Sequence, residues 1–244
     1  MNSIEQNNPL IRLPRFYKTG RCLPLLCSLV ALLLFYPHLV PEDGTLPPIA
    51  ARILFSLSVL AGVIALINSL RSLIVVSAFG LPLLIIEWVP ANAYPSQFHG
   101  IGGIASAVFY SVATILIMLS VWKGHPRPSE RIYGGISIYL LMGIAFSIIY
   151  SNLLLYDPTS FTIIGADDKK PHWDELLYFS FVTLTTLGYG DIVPQTPTAR
   201  STAILESLVG VVFLATFIST LVAEHQRDTR LRDQSDGGSE EGSS

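Results

Sequence analysis

Six apolar runs, near residues 22–40, 50–67, 71–90, 101–122, 133–156 and 198–223, dominate this chain. Each is about 20 residues long, enough for a helix to cross a bilayer. In hydrocarbon every backbone N–H and C=O must be satisfied internally, and runs of this length achieve that as helices. The fold class expected is therefore all-α integral membrane. Composition agrees, since half of the 244 residues are apolar and only 14% are charged, far from a soluble domain of this size.

The basic residues orient the runs, because short cytoplasmic loops collect Lys and Arg. With six spans and both termini cytoplasmic, the inner set is Arg12, Arg15, Lys18, Arg21, Arg71, Lys123, Arg127, Arg131, Arg227, Arg230 and Arg232. Arg52, Lys169, Lys170 and Arg200 remain outside. An odd number of spans would put a basic terminus on the wrong side. Glu42, Asp43, Asp157, Asp167, Asp168, Asp174, Glu175 and Asp191 then face outward, where carboxylates around an entry raise the local cation concentration. For Glu42, Asp43 and the pair at 167–168, ordinary soluble loops are the preferred reading, because salt screens charges beyond about 8 Å.

Between the last two runs, residues 185–191 read Thr-Thr-Leu-Gly-Tyr-Gly-Asp, a string whose chemistry is almost all backbone. Gly188 and Gly190 carry no Cβ penalty at positive φ, so the backbone can alternate between ordinary and left-handed regions and aim its carbonyls together. Four such loops around an axis present rings of carbonyl oxygens that replace the hydration shell of a K+ ion. The expected ion-binding set is Thr186, Leu187, Gly188, Tyr189 and Gly190, with K+ held by the backbone carbonyls of Thr186, Leu187, Gly188 and Tyr189. Thr186 adds a hydroxyl below the rings, and Tyr189 turns its ring into the surrounding protein.

The string and its flanks resemble the potassium channel family. His172–Thr185 looks like the family's pore helix running into its filter, and Ile192-Val193-Pro194 with the apolar run from Ala199 to Ala223 resembles its inner helix. The likeness spans roughly residues 133–224. Leu187 stands where the family most often has Val or Ile, and since that position offers its carbonyl to the ion, packing is expected to change more than selectivity. Tyr189 keeps the aromatic whose loss commonly removes selectivity in the family.

The organisation expected is six transmembrane helices plus a re-entrant pore helix and filter loop, in a tetrameric pore. Residues 1–21 form a cytoplasmic leader, 22–122 a four-helix transmembrane domain and 123–132 a cytoplasmic linker. The pore domain covers 133–224, with outer helix 133–156, pore helix 173–186, filter 186–190 and inner helix 198–223. Residues 225–244 are too polar to pack and are read as a disordered cytoplasmic tail.

Supporting residues follow from the resemblance. Asp191 would hydrogen-bond behind the filter, with Tyr178 or Trp173 as partner. Val182 occupies a position where some members carry a carboxylate. Glu206 is an intramembrane acid, a functional hypothesis by default; the resemblance packs it behind the pore helix in structural hydrogen bonding, with proton sensing as the alternative. Glu87, near the outer interface, is read as structural. Asp174 and Glu175 suit the positive end of the pore-helix dipole. Gly210 is the candidate hinge, with close helix packing an equal alternative. Val211, Leu214, Ile218 and Val222 follow at helical spacing as candidate cavity and gate residues, lipid contact being the competing reading.

Several functions are disfavoured. Residues 101–122 carry no Arg or Lys, so the charges a voltage sensor needs are missing. Residues 224–244 are too few for a cytosolic ligand-binding domain of on the order of 100 residues. No nucleophile and base, phosphate loop or metal spacing suggests an enzyme; His38, His99, His125, His172 and His225 are scattered, and Cys22 and Cys27 read as reduced packing residues. The expected function is a potassium-selective channel subunit in the cell membrane. A non-conducting regulatory subunit is the alternative. Carriers built on this plan hold four filter repeats in one chain, and this chain has one. Expected partners are K+, the lipid bilayer and further copies of the chain, with no nucleic acid and no cofactor beyond the permeant ion.

Overall fold

The computed structural model describes residues 22–39, 49–65, 99–123, 128–165 and 170–240, with Ile74, Ala78, Gly80 and Trp88. The leader 1–21, the turn at 68–71, Pro82, Glu87, and the acids Glu42, Asp43, Asp167 and Asp168 lie outside the described residues. Six helices and two short strands are described: α1 (Cys22–Leu39), α2 (Ile49–Ala65), α3 (His99–Lys123), α4 (Pro128–Tyr156), β1 (Phe161–Ile163), α5 (Trp173–Leu184), β2 (Ile192–Pro194) and α6 (Pro197–Glu240). Among the described residues three helices are long and apolar enough to cross a membrane: Cys22–Leu39, Ser129–Tyr156 and Pro197–Ala223. Arg52–Ala65 and Ala107–Leu119 are shorter apolar helices. The chain is thus an all-α membrane protein with one small sheet.

Two compact units divide it, Met1–Met142 and Gly143–Ser244. In the first, α1 packs on α2. Leu25, Leu29 and Leu32 lie fully buried at the three- and four-residue spacing of one helix face. The Tyr110 ring of α3 meets the Phe55 ring of α2 edge to face at 5.8 Å. Helix hydroxyls are satisfied locally: Ser28 donates to the Leu25 carbonyl (2.8 Å), Ser58 to Phe55 (2.7 Å) and Thr114 to Tyr110 (2.6 Å). An apolar medium offers no water, so bonding back to the helix is how such a side chain avoids an unsatisfied donor.

The second unit is built around the aromatic cluster Tyr150, Phe161 and Phe179, whose rings meet edge to face at 5.1–5.4 Å. Leu176, Ile192 and Ala199 complete this core. It therefore joins α4, β1, α5, β2 and α6. Phe161, Thr162 and Ile163 pair antiparallel with Pro194, Val193 and Ile192. The sequence reading missed this sheet, because two runs of three residues are too short to show a period.

Three boundaries correct the expected organisation. α4 begins at Pro128, inside the expected linker 123–132, since proline suits the first helical position, where an N–H has no partner anyway. α5 stops at Leu184 rather than 186, because Thr186 takes φ 59°. α6 runs on to Glu240, where a disordered tail was expected over 225–244. Its nucleation is already complete in the apolar run, and Ala223, Glu224, Gln226, Arg227, Arg230 and Leu231 are all strong helix formers.

Candidate functional site

Residues 172–210 hold the site, beginning at the start of α5. The Glu175 carboxylate accepts the backbone N–H of His172 at 2.8 Å, and Asp174 shares this first turn, where acids suit the helix dipole. At the other end, Thr185 N–H still bonds Phe181 O (3.0 Å) and Thr186 N–H bonds Thr183 O (2.9 Å). The chain then leaves the helix. Leu187 N–H and Gly188 N–H both reach Val182 O, at 2.9 and 3.3 Å, so one carbonyl of α5 anchors two successive amides of the loop that follows it. Val182 thus contributes through its backbone, while its side chain is buried.

Positive φ recurs at every second residue of the loop: 59° at Thr186, 59° at Gly188 and 78° at Gly190. For the two glycines this is free; for a β-branched threonine it is an outlier costing on the order of 1–3 kcal/mol. Thr186 is the only positive-φ residue other than glycine among the described residues. Alternation of this kind swings successive carbonyls toward one side. Leu187 and Tyr189 expose 55% and 66% of their surface, so the loop is an open edge of the single chain.

Asp191 closes the loop. Its carboxylate accepts its neighbour's Ile192 N–H (3.0 Å) and bonds the Tyr178 hydroxyl. Tyr178 is one of the two residues named as its partner. The Tyr178 ring also stacks on Tyr189 at 6.4 Å and 12°. The Asp191 carbonyl accepts Ile164 N–H (2.8 Å) just past β1, and Gln195 N–H reaches Ser160 O (2.8 Å). Trp173 opens α5.

Behind α5, α6 starts from Thr196, whose hydroxyl accepts Ala199 N–H (3.3 Å), followed by Pro197 at the first helical position. Its buried stripe is one residue wide: Ala199, Glu206, Gly210 and Phe213, at helical spacing. Glu206 is fully buried. Tyr150 of α4 donates to its Oε2 at 2.5 Å, and Ser180 Oγ lies 2.5 Å from its Oε1 and 2.7 Å from the carbonyl of Gly143. Ser207 donates to Thr183 O at 3.2 Å. A Cβ on Gly210 would stand 2.5 Å from Leu184 O, which makes this glycine a close-packing position. Val211, Leu214, Ile218 and Val222 are exposed on the single chain.

Sequence reasoning named Glu206 and Gly210 but missed Tyr150, Ser180, Ser207 and Gly143. Tyr150 and Gly143 lie on α4, Ser180 on α5 and Ser207 on α6, so no spacing rule within one element joins them. His, Cys, Asp and Glu form no group able to hold a metal ion among the described residues.

A model of the Ion channel family matches residues 138–226, which contain α5, the loop and the apolar part of α6. Protein LctB of Bacillus caldotenax is 30% identical over 123 residues, 49% of this chain and 91% of that protein. Two pore potassium channel c of Oryza sativa subsp. japonica is 41% identical over 85 residues, 35% of this chain, and two pore potassium channel b of the same plant 36% over 102 residues, 41% of this chain. The chain spans only 17% and 26% of the length of these two plant relatives. No solved structure matches. The family match and these relatives place the chain among membrane ion channels rather than enzymes. The chain belongs to the potassium channel family.

Proposed function

We propose that this chain is one subunit of a tetrameric potassium-selective channel that conducts K+ passively through a pore lined by Thr186, Leu187, Gly188, Tyr189 and Gly190. The observation that carries this reading is positive φ at 186, 188 and 190, the backbone alternation that turns consecutive carbonyls to one side. Each chain brings one loop, so a closed carbonyl ring takes four copies related by rotation. In that ring the exposed edges of Leu187 and Tyr189 meet neighbouring subunits. Asp191, Tyr178, Trp173, Val182 and Glu206 support the filter from outside and behind. Gly210 fixes the inner helix against the pore helix, and Val211, Leu214, Ile218 and Val222 line the cavity and gate. The six-span plan in the cell membrane, with both termini cytoplasmic, belongs to the same proposal.

Flux through purified protein in liposomes, measured with K+ and then with Na+ as the only permeant cation, tests it. K+ flux is expected to exceed Na+ flux, and Tyr189→Ala to lower the ratio by roughly tenfold, equivalent to about 1.4 kcal/mol of lost discrimination. Equal fluxes of the two ions through the unmutated protein would end the selectivity claim.

A further inference from the structure

The contacts around Glu206 call for one hydrogen more than its partners bring, a property that neither the filter motif nor family membership contains. Three oxygen–oxygen contacts at hydrogen-bond distance meet there: Tyr150 Oη to Glu206 Oε2 (2.5 Å), Ser180 Oγ to Glu206 Oε1 (2.5 Å) and Ser180 Oγ to Gly143 O (2.7 Å). Each needs a hydrogen. The tyrosine hydroxyl brings one, the serine hydroxyl brings one, and a backbone carbonyl brings none. An ionised Glu206 also brings none, which leaves one of the three contacts as two lone-pair oxygens facing each other. Tyr150, Ser180 and Glu206 are all fully buried, so such a contact is not relieved by bulk water. Tyr150 of α4 and Ser180 of α5 are the groups that reach the carboxyl, and no cation stands beside it among the described residues.

We propose that Glu206 is a neutral carboxylic acid that supplies the third hydrogen and thereby positions the pore helix. Tyr150 O–H donates to Oε2, the Glu206 acid O–H donates to Ser180 Oγ, and Ser180 O–H donates to Gly143 O. The path leaves α4 at Tyr150, crosses α6 and α5, and returns to α4 at Gly143. It clamps α5 at Ser180, two and three residues before the carbonyls of Val182 and Thr183 that hold the filter amides. The consequence for permeation rests on the pore reading above; the hydrogen count does not.

Infrared difference spectroscopy between the unmutated protein and Glu206→Gln, both in lipid vesicles, reads the proton directly. The expected difference is loss of one protonated-carboxyl C=O band, and loss of a carboxylate stretch instead overturns the proposal. Tyr150→Phe provides a second reading, since removing the donor to Oε2 should raise the frequency of that same C=O band; no shift overturns the assigned path. In liposome flux, Glu206→Ala is expected to lower K+ over Na+ discrimination by roughly tenfold, the scale of one unmet buried hydrogen bond. Glu206→Gln, a neutral donor and acceptor, is expected to rescue most of that loss, and a Gln variant as poor as Ala overturns the positioning role. Were the unmutated protein not to conduct K+, the pore reading would fail while the C=O band still decided the hydrogen count.

Discussion

Gly210 meets the carbonyl of Leu184 so closely that a single methyl group there collides with backbone rather than with a movable side chain. Gly210→Ala therefore forces α6 away from α5, and overpacking of this kind costs about 1–3 kcal/mol. The expected outcome is a lower Tm in detergent, measured alongside flux. An unchanged Tm with altered opening would favour a hinge instead. The sequence drew attention to Gly210 but left hinge and packing level, because the atom that decides between them belongs to another helix. Tyr150 and Ser180 were hidden for a related reason. Serines in these helices mostly bond back to their own turn, as Ser28, Ser58, Ser137 and Ser147 do, so a serine bonding across to another helix looks the same in a sequence. The backbone alternation of the loop was legible at Gly188 and Gly190 because the residues are consecutive and glycine carries no Cβ penalty at positive φ. Thr186 was not flagged as strained, since β-branched residues ordinarily avoid that region.

At the scale of elements, apolar length reports that a helix exists, and α1, α2 and α3 occupy the first, second and fourth apolar runs. It is less informative about ends, which depend on caps and propensity. Hence Pro128 starts α4 early, and strong helix formers carry α6 past the apolar run. The turn after α4 has its own chemistry. The Thr159 hydroxyl and amide both donate to Asp157 Oδ1, at 2.7 and 2.9 Å. The hydroxyl first and the amide second favour the carboxylate and hold its pKa below the ordinary 3.8. A carboxyl depressed in the folded state adds stability above its ordinary pKa and loses it as pH falls through the folded value. Thr159→Val removes the leading cause, so the Asp157 titration followed by carbon-13 NMR is expected to move up toward 3.8. An unmoved titration would show that the amide alone sets it.

For the whole molecule, α3 lies in the position of the fourth apolar run and carries no Arg or Lys before Lys123 at its end. Each elementary charge carried through the field gains about 2.3 kcal/mol per 100 mV, so without charges there is little for voltage to act on. Recordings from the purified protein in planar bilayers are expected to give a shallow dependence of opening on voltage. Steep voltage-dependent opening would refute this. The pairing of β1 with β2 bears on how such a molecule assembles. The Ser160–Gln195 bond and the strand pair close the chain on itself, so α5 and the loop after it form a ring within one polypeptide. The supports of the loop, Val182 O on one side and Ile164 N–H on the other, lie inside that ring. Loop-closure entropy is therefore met during folding of the monomer. In the proposed fourfold assembly each subunit arrives with its share of the ion path already shaped, leaving association to supply only the meeting of finished edges.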